Sequence, residues 1–356
     1  MAAVCGRFGV SGPVFQEAFA LRDGLEQLRA IFDFLEGYRY GRNQYLKDLC
    51  APFWQGEKRP SQQIKQISRI TAAISLQKNP FVWFAINALI PWDLYFAYRL
   101  YRQKSELSDL LPGWLHVWFD LEALNSLANF SYLNPDFQLP VIAEQTGELF
   151  RATALGHPLI ASTERVCNDM SIDRLGSLAI ITGSNMAGKS SFLRTVGINL
   201  ALAFAGGPVC AESLHTSLFR LFTSMRLADS VTDGFSYFYA EVQRLKALLD
   251  ALTEEEARPL FFLIDEIFRG TNNRERFLGS QAYVQALVNK NGVGLIATHD
   301  LDLTSLADEQ TVVANFHFRD DVRNGRMVFD YKLRSGPCPT TNALQIMQLA
   351  GLPLPP

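Results

Sequence analysis

A glycine-rich loop constrains the fold of this chain more than any other feature. Residues 183–190 read Gly-Ser-Asn-Met-Ala-Gly-Lys-Ser, which matches the pattern GxxxxGK[ST]. An apolar run precedes the loop at residues 178–182, and a helical pattern begins near Phe192. In such a strand–loop–helix unit, glycines let backbone N–H groups turn inward around phosphates, and the helix adds its N-terminal dipole. The pattern predicts phosphate binding here in preference to an ordinary glycine turn.

The motif also predicts a role for individual residues. Lys189 is expected to reach the β- and γ-phosphates of a nucleotide, and the Ser190 hydroxyl is expected to hold Mg²⁺. The motif therefore predicts a nucleotide with Mg²⁺, and the family resemblance described below implies that the nucleotide is ATP. The expected nucleotide-binding residues of the loop are Gly183, Ser184, Asn185, Met186, Ala187, Gly188, Lys189, Ser190 and Ser191.

Two further apolar runs end in residues that suit phosphate chemistry. The run at residues 260–264 is followed by Asp265 and Glu266. A buried strand that ends there places Asp265 where it reaches Mg²⁺, and Glu266 where it orients and deprotonates the attacking water. The run at residues 293–297 leads to His299, which we expect to contact the γ-phosphate and sense hydrolysis. An ordinary hydrogen-bonded surface histidine is the alternative for His299.

The spacing of apolar residues divides the chain into two domains. Up to about residue 131, they recur at three- and four-residue steps, as in residues 21–35, 64–74 and 115–127, which is typical of packed helices. Later, short apolar runs alternate with helical patterns, which predicts a parallel sheet with its ligand crevice at the strands' carboxyl ends. Residues 133–140 contain two prolines and form the expected linker. We therefore expect an all-α domain at residues 1–142 and an α/β domain at residues 143–356, with a hairpin turning at Asn324-Gly325.

Charge and cysteine content restrict the class of partner and the compartment. The 356 residues carry a net charge of −3, so any contact with nucleic acid has to come from a local patch. The five cysteines are scattered without metal-site spacing, which indicates reduced thiols and a cytoplasmic location.

One local patch is basic and aromatic. Between residues 38 and 69 the acidic residues are only Asp48 and Glu57, and three tyrosines are interleaved. Such a segment suits a nucleic-acid backbone, and a solvated helical face is the alternative. The basic residues are Arg39, Arg42, Lys47, Lys58, Arg59, Lys65 and Arg69.

The most apolar stretch lies at residues 80–90. It falls short of the roughly 20 residues that span a bilayer, so a buried helix is expected and no clear membrane segment is present. The N-terminus lacks the charged and then apolar order of a signal peptide.

Residues 182–194, Thr-Gly-Ser-Asn-Met-Ala-Gly-Lys-Ser-Ser-Phe-Leu-Arg, resemble the MutS family of DNA mismatch-repair ATPases, which belong to the wider ABC class. Residues 265–271, 297–299, 331–332 and 349–353 follow in the family's order, and residues 156–159 and 168–169 resemble its entry to the ATPase domain. The likeness covers about residues 150–353 and, more loosely, helices from 60 to 142 that look like the family's lever region. It implies an ABC-type P-loop NTPase domain after the all-α domain, a homodimer with two composite ATP sites, DNA as a partner, and Asn168 near the adenine.

Ser236 has two interpretations. Because it opens a helical pattern after Gly234, it is a good N-cap. In the resemblance, Gly234, Ser236, Phe238 and Glu241 fall on the family's signature segment, whose serine approaches the γ-phosphate of the other subunit.

The chain also departs from the family pattern. Phe268 replaces a usual glycine, Ser191 a usual threonine, Tyr237 a usual threonine, and residues 272–273 a Ser-Thr-like pair. The mismatch-reading module, the connector and the DNA clamp are not evident. Residues 34–36 and 15–17 imitate the spacing of the mismatch-wedging Phe and Glu, but both lie in helical patterns.

The resemblance implies an ATP-dependent DNA-handling protein of repair, including mismatch repair, or of recombination, which hydrolyses ATP at composite dimer sites. The alternative is an ATP-switched clamp or scaffold without mismatch recognition. A third interpretation is a membrane-associated MutS-like protein with its aromatic residues 81–101 near lipid.

Overall fold

The structure is a computed structural model that describes residues 8–55, 58–75, 80–143, 149–184, 186–225, 237–254, 258–268, 272–323 and 326–339. The chain forms two compact units, Met1–Ser126 and Leu127–Pro356. The boundary between them falls inside a long helix, upstream of the division at residue 142 that we propose from the sequence.

The first unit is helical, as predicted. Its helices are α1 (Phe8–Gly37), α2 (Gln44–Leu49), α3 (Ala51–Trp54), α4 (Pro60–Ile74), α5 (Pro80–Leu89) and α6 (Trp92–Leu133), the last of which continues into the second unit. Its core includes Phe32 of α1, Phe53 of α3, Ile67 of α4 and Trp114 of α6. The regularly spaced apolar residues of α1 and α4 therefore pack into a shared core.

Helix α4 is fixed at its start by a carboxylate from α1. The helix begins at Pro60, a residue suited to the first turn because it has no N–H to leave unsatisfied. Glu36 accepts hydrogen bonds from the backbone N–H of Ser61 at 2.6 Å and from its hydroxyl at 2.7 Å. Glu36 thus caps α4, and its use within the fold disfavours the wedge-like reading of residues 34–36.

The expectation of a buried helix at residues 80–90 is wrong. The helix forms, but none of its described side chains is buried, and Phe81 and Leu89 are 88% and 86% exposed. The exposed apolar surface continues into α6 through Leu94, Tyr98 and Tyr101. Apolar composition predicted burial, but the described neighbours do not cover this face. No described helix has the length and apolar content needed to cross a bilayer.

The described residues of the second unit form two sheets. Its strands are β1 (Val141–Ala143), β2 (Phe150–Leu155), β3 (Asn168–Ile172), β4 (Leu178–Thr182), β5 (Ser213–Ser217), β6 (Arg220–Ser224), β7 (Leu260–Asp265), β8 (Gly292–Ala297), β9 (Val313–Arg323) and β10 (Arg326–Ser335). The larger sheet has the order β10-β9-β4-β8-β7-β6, in which only the β9–β10 pair is antiparallel. The smaller sheet has the order β1-β5-β2-β3.

Helices separate the strands of the larger sheet. They are α7 (Lys189–Phe204), α8 (Tyr237–Leu252), α9 (Asn273–Leu287) and the short α10 (Leu306–Glu309), which follows a 3₁₀ turn at Asp302–Ser305. Every residue of β4, β7 and β8 is buried, which explains why these strands are continuous apolar runs. The predicted strands and helices are thus confirmed, as are the two antiparallel strands of the hairpin, whereas its predicted turn at Asn324-Gly325 lies outside the described residues. The smaller sheet was not predicted.

Candidate nucleotide site

The carboxyl ends of β4, β7 and β8 lie together, because these strands are parallel neighbours. A cavity of about 650 Å³ opens at this edge, within the range typical of small-molecule sites. Its lining includes Ser184, Met186, Gly188, Lys189, Ser190 and Ser191 of the loop and Glu266 after β7. The structure therefore brings the loop and one predicted acidic residue to the same cavity.

The loop has the backbone conformation that requires glycine at both ends. Gly183 and Gly188 have φ angles of 144° and 112°. A Cβ on Gly183 would lie 2.7 Å from the carbonyl oxygen of Phe318, so a side chain there is also excluded sterically. Ala187 is buried, and it and Gly183 shape the loop without lining the cavity. Asn185 lies outside the described residues.

Lys189 opens helix α7 and directs its ammonium group back into the loop. The Nζ atom donates to the carbonyl oxygens of Gly183 at 2.6 Å and Ser184 at 2.9 Å. The residue is only 5% exposed. A buried positive charge is thus held by carbonyl dipoles beside the cavity, and a phosphate group would be a stronger partner.

Ser190 and Asp265 join the loop to the end of β7. The Ser190 hydroxyl donates to Oδ1 of Asp265 at 2.9 Å, although the residues are far apart in sequence. Asp265 is 5% exposed. A hydroxyl and a carboxylate are hard oxygen donors, which is the ligand type that Mg²⁺ prefers.

The side chains of Glu266 and His299 are also in contact. Each residue lies in a loop, Glu266 after β7 and His299 after the neighbouring β8. Glu266 has a φ angle of 64°, and its N–H donates to the carbonyl oxygen of Ala297 at 2.8 Å. Its Oε1 lies 3.2 Å from Nδ1 of His299. The Glu266 side chain is 19% exposed and lines the cavity. The His299 side chain is 43% exposed and contacts Glu266, but it is not part of the cavity lining.

Asn168 lies at the cavity and holds the hairpin strand β10. Its Oδ1 accepts from the N–H of Leu333 at 2.8 Å, and its Nδ2 donates to the carbonyl oxygen of Tyr331 at 3.0 Å. The side-chain amide is therefore engaged with backbone at a place where the β9–β10 register shifts.

Tyr331 is a cavity residue for which sequence reasoning predicted no role. Its backbone is left-handed, with φ 53°, and its ring stacks on Phe329 at a centroid distance of 6.0 Å. The ring is 3.1 Å from the position that a Cβ on Gly188 would take. It lines the cavity and is 44% exposed, so an aromatic face is available near the loop. The only sequence signal was its place in a segment that follows the family's order.

His157 was likewise missed as a cavity residue. Burial lowers the pKa of His157, and the charges of Arg194 and Arg165 lower it further. Its Nδ1 accepts a hydrogen bond from the N–H of Leu159 at 3.2 Å, which requires that nitrogen to be unprotonated. The neutral imidazole is thus the form that this part of the cavity favours.

Ser236 lies outside the described residues. The structure resumes at residue 237, where α8 begins.

Residues 179–355 match the family model of MutS domain V. This domain is the ATPase domain of the MutS family, and the match takes in the loop, both acidic residues, His299 and the hairpin. The C-terminal region of the chain therefore belongs to the MutS family.

Proposed function

We propose that this chain is a MutS-type ATPase that hydrolyses Mg-ATP in an ABC-type P-loop domain. The observation that carries the proposal is the contact between Ser190 and Asp265 at 2.9 Å, together with the buried Lys189 that precedes Ser190 in the loop. Lys189 and Ser190 line a cavity of suitable size, and Asp265 contacts Ser190, so a positive charge and hard oxygen donors support binding of Mg-ATP.

Each site residue then has a defined task. Lys189 exchanges its carbonyl partners for phosphate oxygens, and the backbone of residues 183–188 surrounds the phosphates. Ser190 and Asp265 hold Mg²⁺, which when bound supplies positive charge at the phosphate oxygens. Glu266 accepts a proton from the attacking water, and His299 orients the Glu266 carboxylate from 3.2 Å.

The adenine is assigned to the end of the cavity that Asn168 and Tyr331 line. An aromatic ring with an exposed face suits stacking with a purine. Asn168 acts by holding the backbone that carries Tyr331, since its amide donates to the Tyr331 carbonyl oxygen and accepts from the N–H of Leu333.

A homodimer completes the proposed site. Membership in the MutS family supports dimerisation, and Ser236 is assigned to the partner's γ-phosphate. Glu266→Gln should accumulate as a dimer with Mg-ATP. Analytical ultracentrifugation with ATP and with ADP tests this, and a monomer under both conditions would contradict it.

DNA is the proposed macromolecular partner, and the first unit offers a surface for it. Arg39 and Arg42 are exposed, and neither forms an ion pair within the described part of the chain. Tyr38 and Tyr45, which are 50% and 64% exposed, lie on the same short stretch. Exposed guanidinium groups beside aromatic faces suit a nucleic-acid backbone with accessible bases.

The salt dependence of DNA binding tests this surface. Arg39→Ala/Arg42→Ala should weaken binding and reduce the slope of log K against log salt by about 2. Arg102→Ala is the control, because Arg102 is exposed but paired with Glu106 at 3.2 Å. An unchanged slope would leave Arg39 and Arg42 as solvated residues of the loop between α1 and α2.

Phosphate release by the purified chain tests the function itself. We expect ATP hydrolysis that depends on Mg²⁺ and changes with duplex, mismatched or branched DNA. Saturable ATP binding without hydrolysis would favour the ATP-switched clamp or scaffold instead.

Membrane association is a second candidate because of the exposed apolar surface on α5 and the start of α6. Phe81, Leu89 and Tyr101 are 88%, 86% and 73% exposed. Aromatic side chains in such a position suit a membrane interface. Sedimentation with anionic and neutral vesicles tests this candidate, and Phe81→Ser/Leu89→Ser should abolish any binding found.

A further inference from the structure

The segment after β7 has an unusual backbone. Glu266 has a φ angle of 64° and Phe268 one of 56°, and neither residue is glycine. Non-glycine residues are disfavoured in the left-handed region, so surrounding contacts have to hold the segment in this conformation. The resemblance described above implies glycine at position 268, and this chain carries phenylalanine there.

Glu241 of α8 supplies one of these contacts. Its Oε1 accepts a hydrogen bond from the backbone N–H of Phe268 at 2.7 Å. Glu241 is only 3% exposed. Hydrogen bonds to a carboxylate are stronger than those between neutral groups, so this bond fixes the backbone two residues after Glu266.

The ring of Phe268 supplies the others. It lies 6.2 Å from the ring of Phe238 on α8 and 6.2 Å from that of Tyr283 on α9, measured between centroids. The Tyr283 hydroxyl in turn donates to the carbonyl oxygen of Leu245 on α8 at 2.8 Å. Gly279 leaves room for the ring, since a Cβ there would lie 3.1 Å from it.

We propose that Glu241 and Phe268 form a clamp that positions Glu266 for proton transfer. The hydrogen bond holds the backbone after Glu266, and the ring packs that segment between α8 and α9. The position of helix α8 then determines where the Glu266 carboxylate lies. This inference rests on the proposed role of Glu266, and it assigns to Phe268 a task that glycine at this position lacks.

Three variants test the clamp. Glu241→Ala removes the acceptor, Glu241→Gln keeps an acceptor oxygen of the same reach, and Phe268→Gly removes the ring while relieving the backbone. Glu241→Ala and Phe268→Gly should lower kcat by up to about 100-fold, the scale expected for misplaced catalytic groups, with unchanged affinity for ATP. Glu241→Gln should retain most of the wild-type kcat. Glu254→Ala is the control, because Glu254 is 57% exposed and lies beyond the end of α8.

Amide hydrogen exchange provides a readout that does not need activity. The Phe268 N–H should be protected in the wild type and in Glu241→Gln, and should exchange faster in Glu241→Ala. Circular dichroism shows whether each variant is folded. A folded Glu241→Ala with wild-type kcat, or with wild-type protection of Phe268, would overturn the clamp. A wild type that shows the protection but hydrolyses no ATP would instead overturn the proposed function, and with it the positioning role.

Discussion

Replacing Glu266 with glutamine should stop proton transfer while leaving the site otherwise intact. Glutamine has the same reach as glutamate, and the backbone bond from residue 266 to Ala297 at 2.8 Å does not involve the side chain. The contact with His299 at 3.2 Å can persist with an amide oxygen. The loss is therefore confined to the proton acceptor, for which we expect a fall in kcat of about 10²–10⁴-fold, or roughly 3–5 kcal/mol of activation free energy.

Single-turnover phosphate release and equilibrium binding of Mg-ATP separate this effect from a loss of affinity. Affinity should stay at the wild-type value or increase, because a negative charge near the triphosphate is removed. Glu254→Gln is the matched control, since it makes the same chemical change at an exposed ion pair with Arg220. Wild-type turnover in Glu266→Gln would refute the assignment and make His299 the first candidate for the base.

Three other predictions address the dimer, the cavity and the fold. If Ser236 completes the partner's site, mixing Ser236→Ala with Lys189→Ala should restore partial ATPase activity that neither variant has alone; no gain despite mixed dimers would leave Ser236 as a helix cap. Because the folded pKa of His157 is lowered, the unfolded chain binds more protons below about pH 6.5, so stability falls on acidification. Urea unfolding from about pH 7 to about pH 5 should be less pH-dependent in His157→Asn, and equal slopes would contradict this. Gly294→Ala should destabilise the second unit by about 1–3 kcal/mol, because its Cβ would lie 2.2 Å from a ring carbon on β7, whereas Gly24→Ala, with no atom within 4 Å, should be stabilising in thermal melts.

The larger sheet was predictable because its central strands are buried on both faces. Strands β4, β7 and β8 therefore leave continuous apolar runs in the sequence. Strands β2 and β3 expose some of their residues and carry polar side chains, as in Asn-Asp-Met-Ser-Ile of β3, so they leave no such run. The smaller sheet was missed for this reason.

Some residues of the candidate site could likewise be predicted from the sequence, whereas others could not. Residues within two positions of the end of a core strand, such as Glu266 and His299, could be located because parallel strands have their carboxyl ends at one edge of the sheet. Tyr331 could not be located by such reasoning, because it reaches the cavity through a register shift in β10 and through its backbone contact with Asn168. The left-handed Phe268 also has no local signal, since the partner of its backbone N–H is Glu241, which lies on helix α8.

Helix α5 shows a different limit of sequence reasoning. Its composition is strongly apolar, yet Phe81 and Phe84 are 88% and 71% exposed. Apolar content measures how favourable burial would be, whereas exposure depends on whether another surface is present to cover the helix.

Isothermal titration of Mg-ATP into the wild type and into Lys189→Ala tests whether the loop and its lysine bind the phosphates of ATP. The wild type should bind Mg-ATP saturably. In the variant, the loss of two charge-assisted hydrogen bonds of about 1.5–3 kcal/mol each corresponds to an affinity about 10²–10⁴-fold lower. Circular dichroism of the variant should still show the folded chain. Binding of Mg-ATP to a folded Lys189→Ala chain with wild-type affinity would contradict the account.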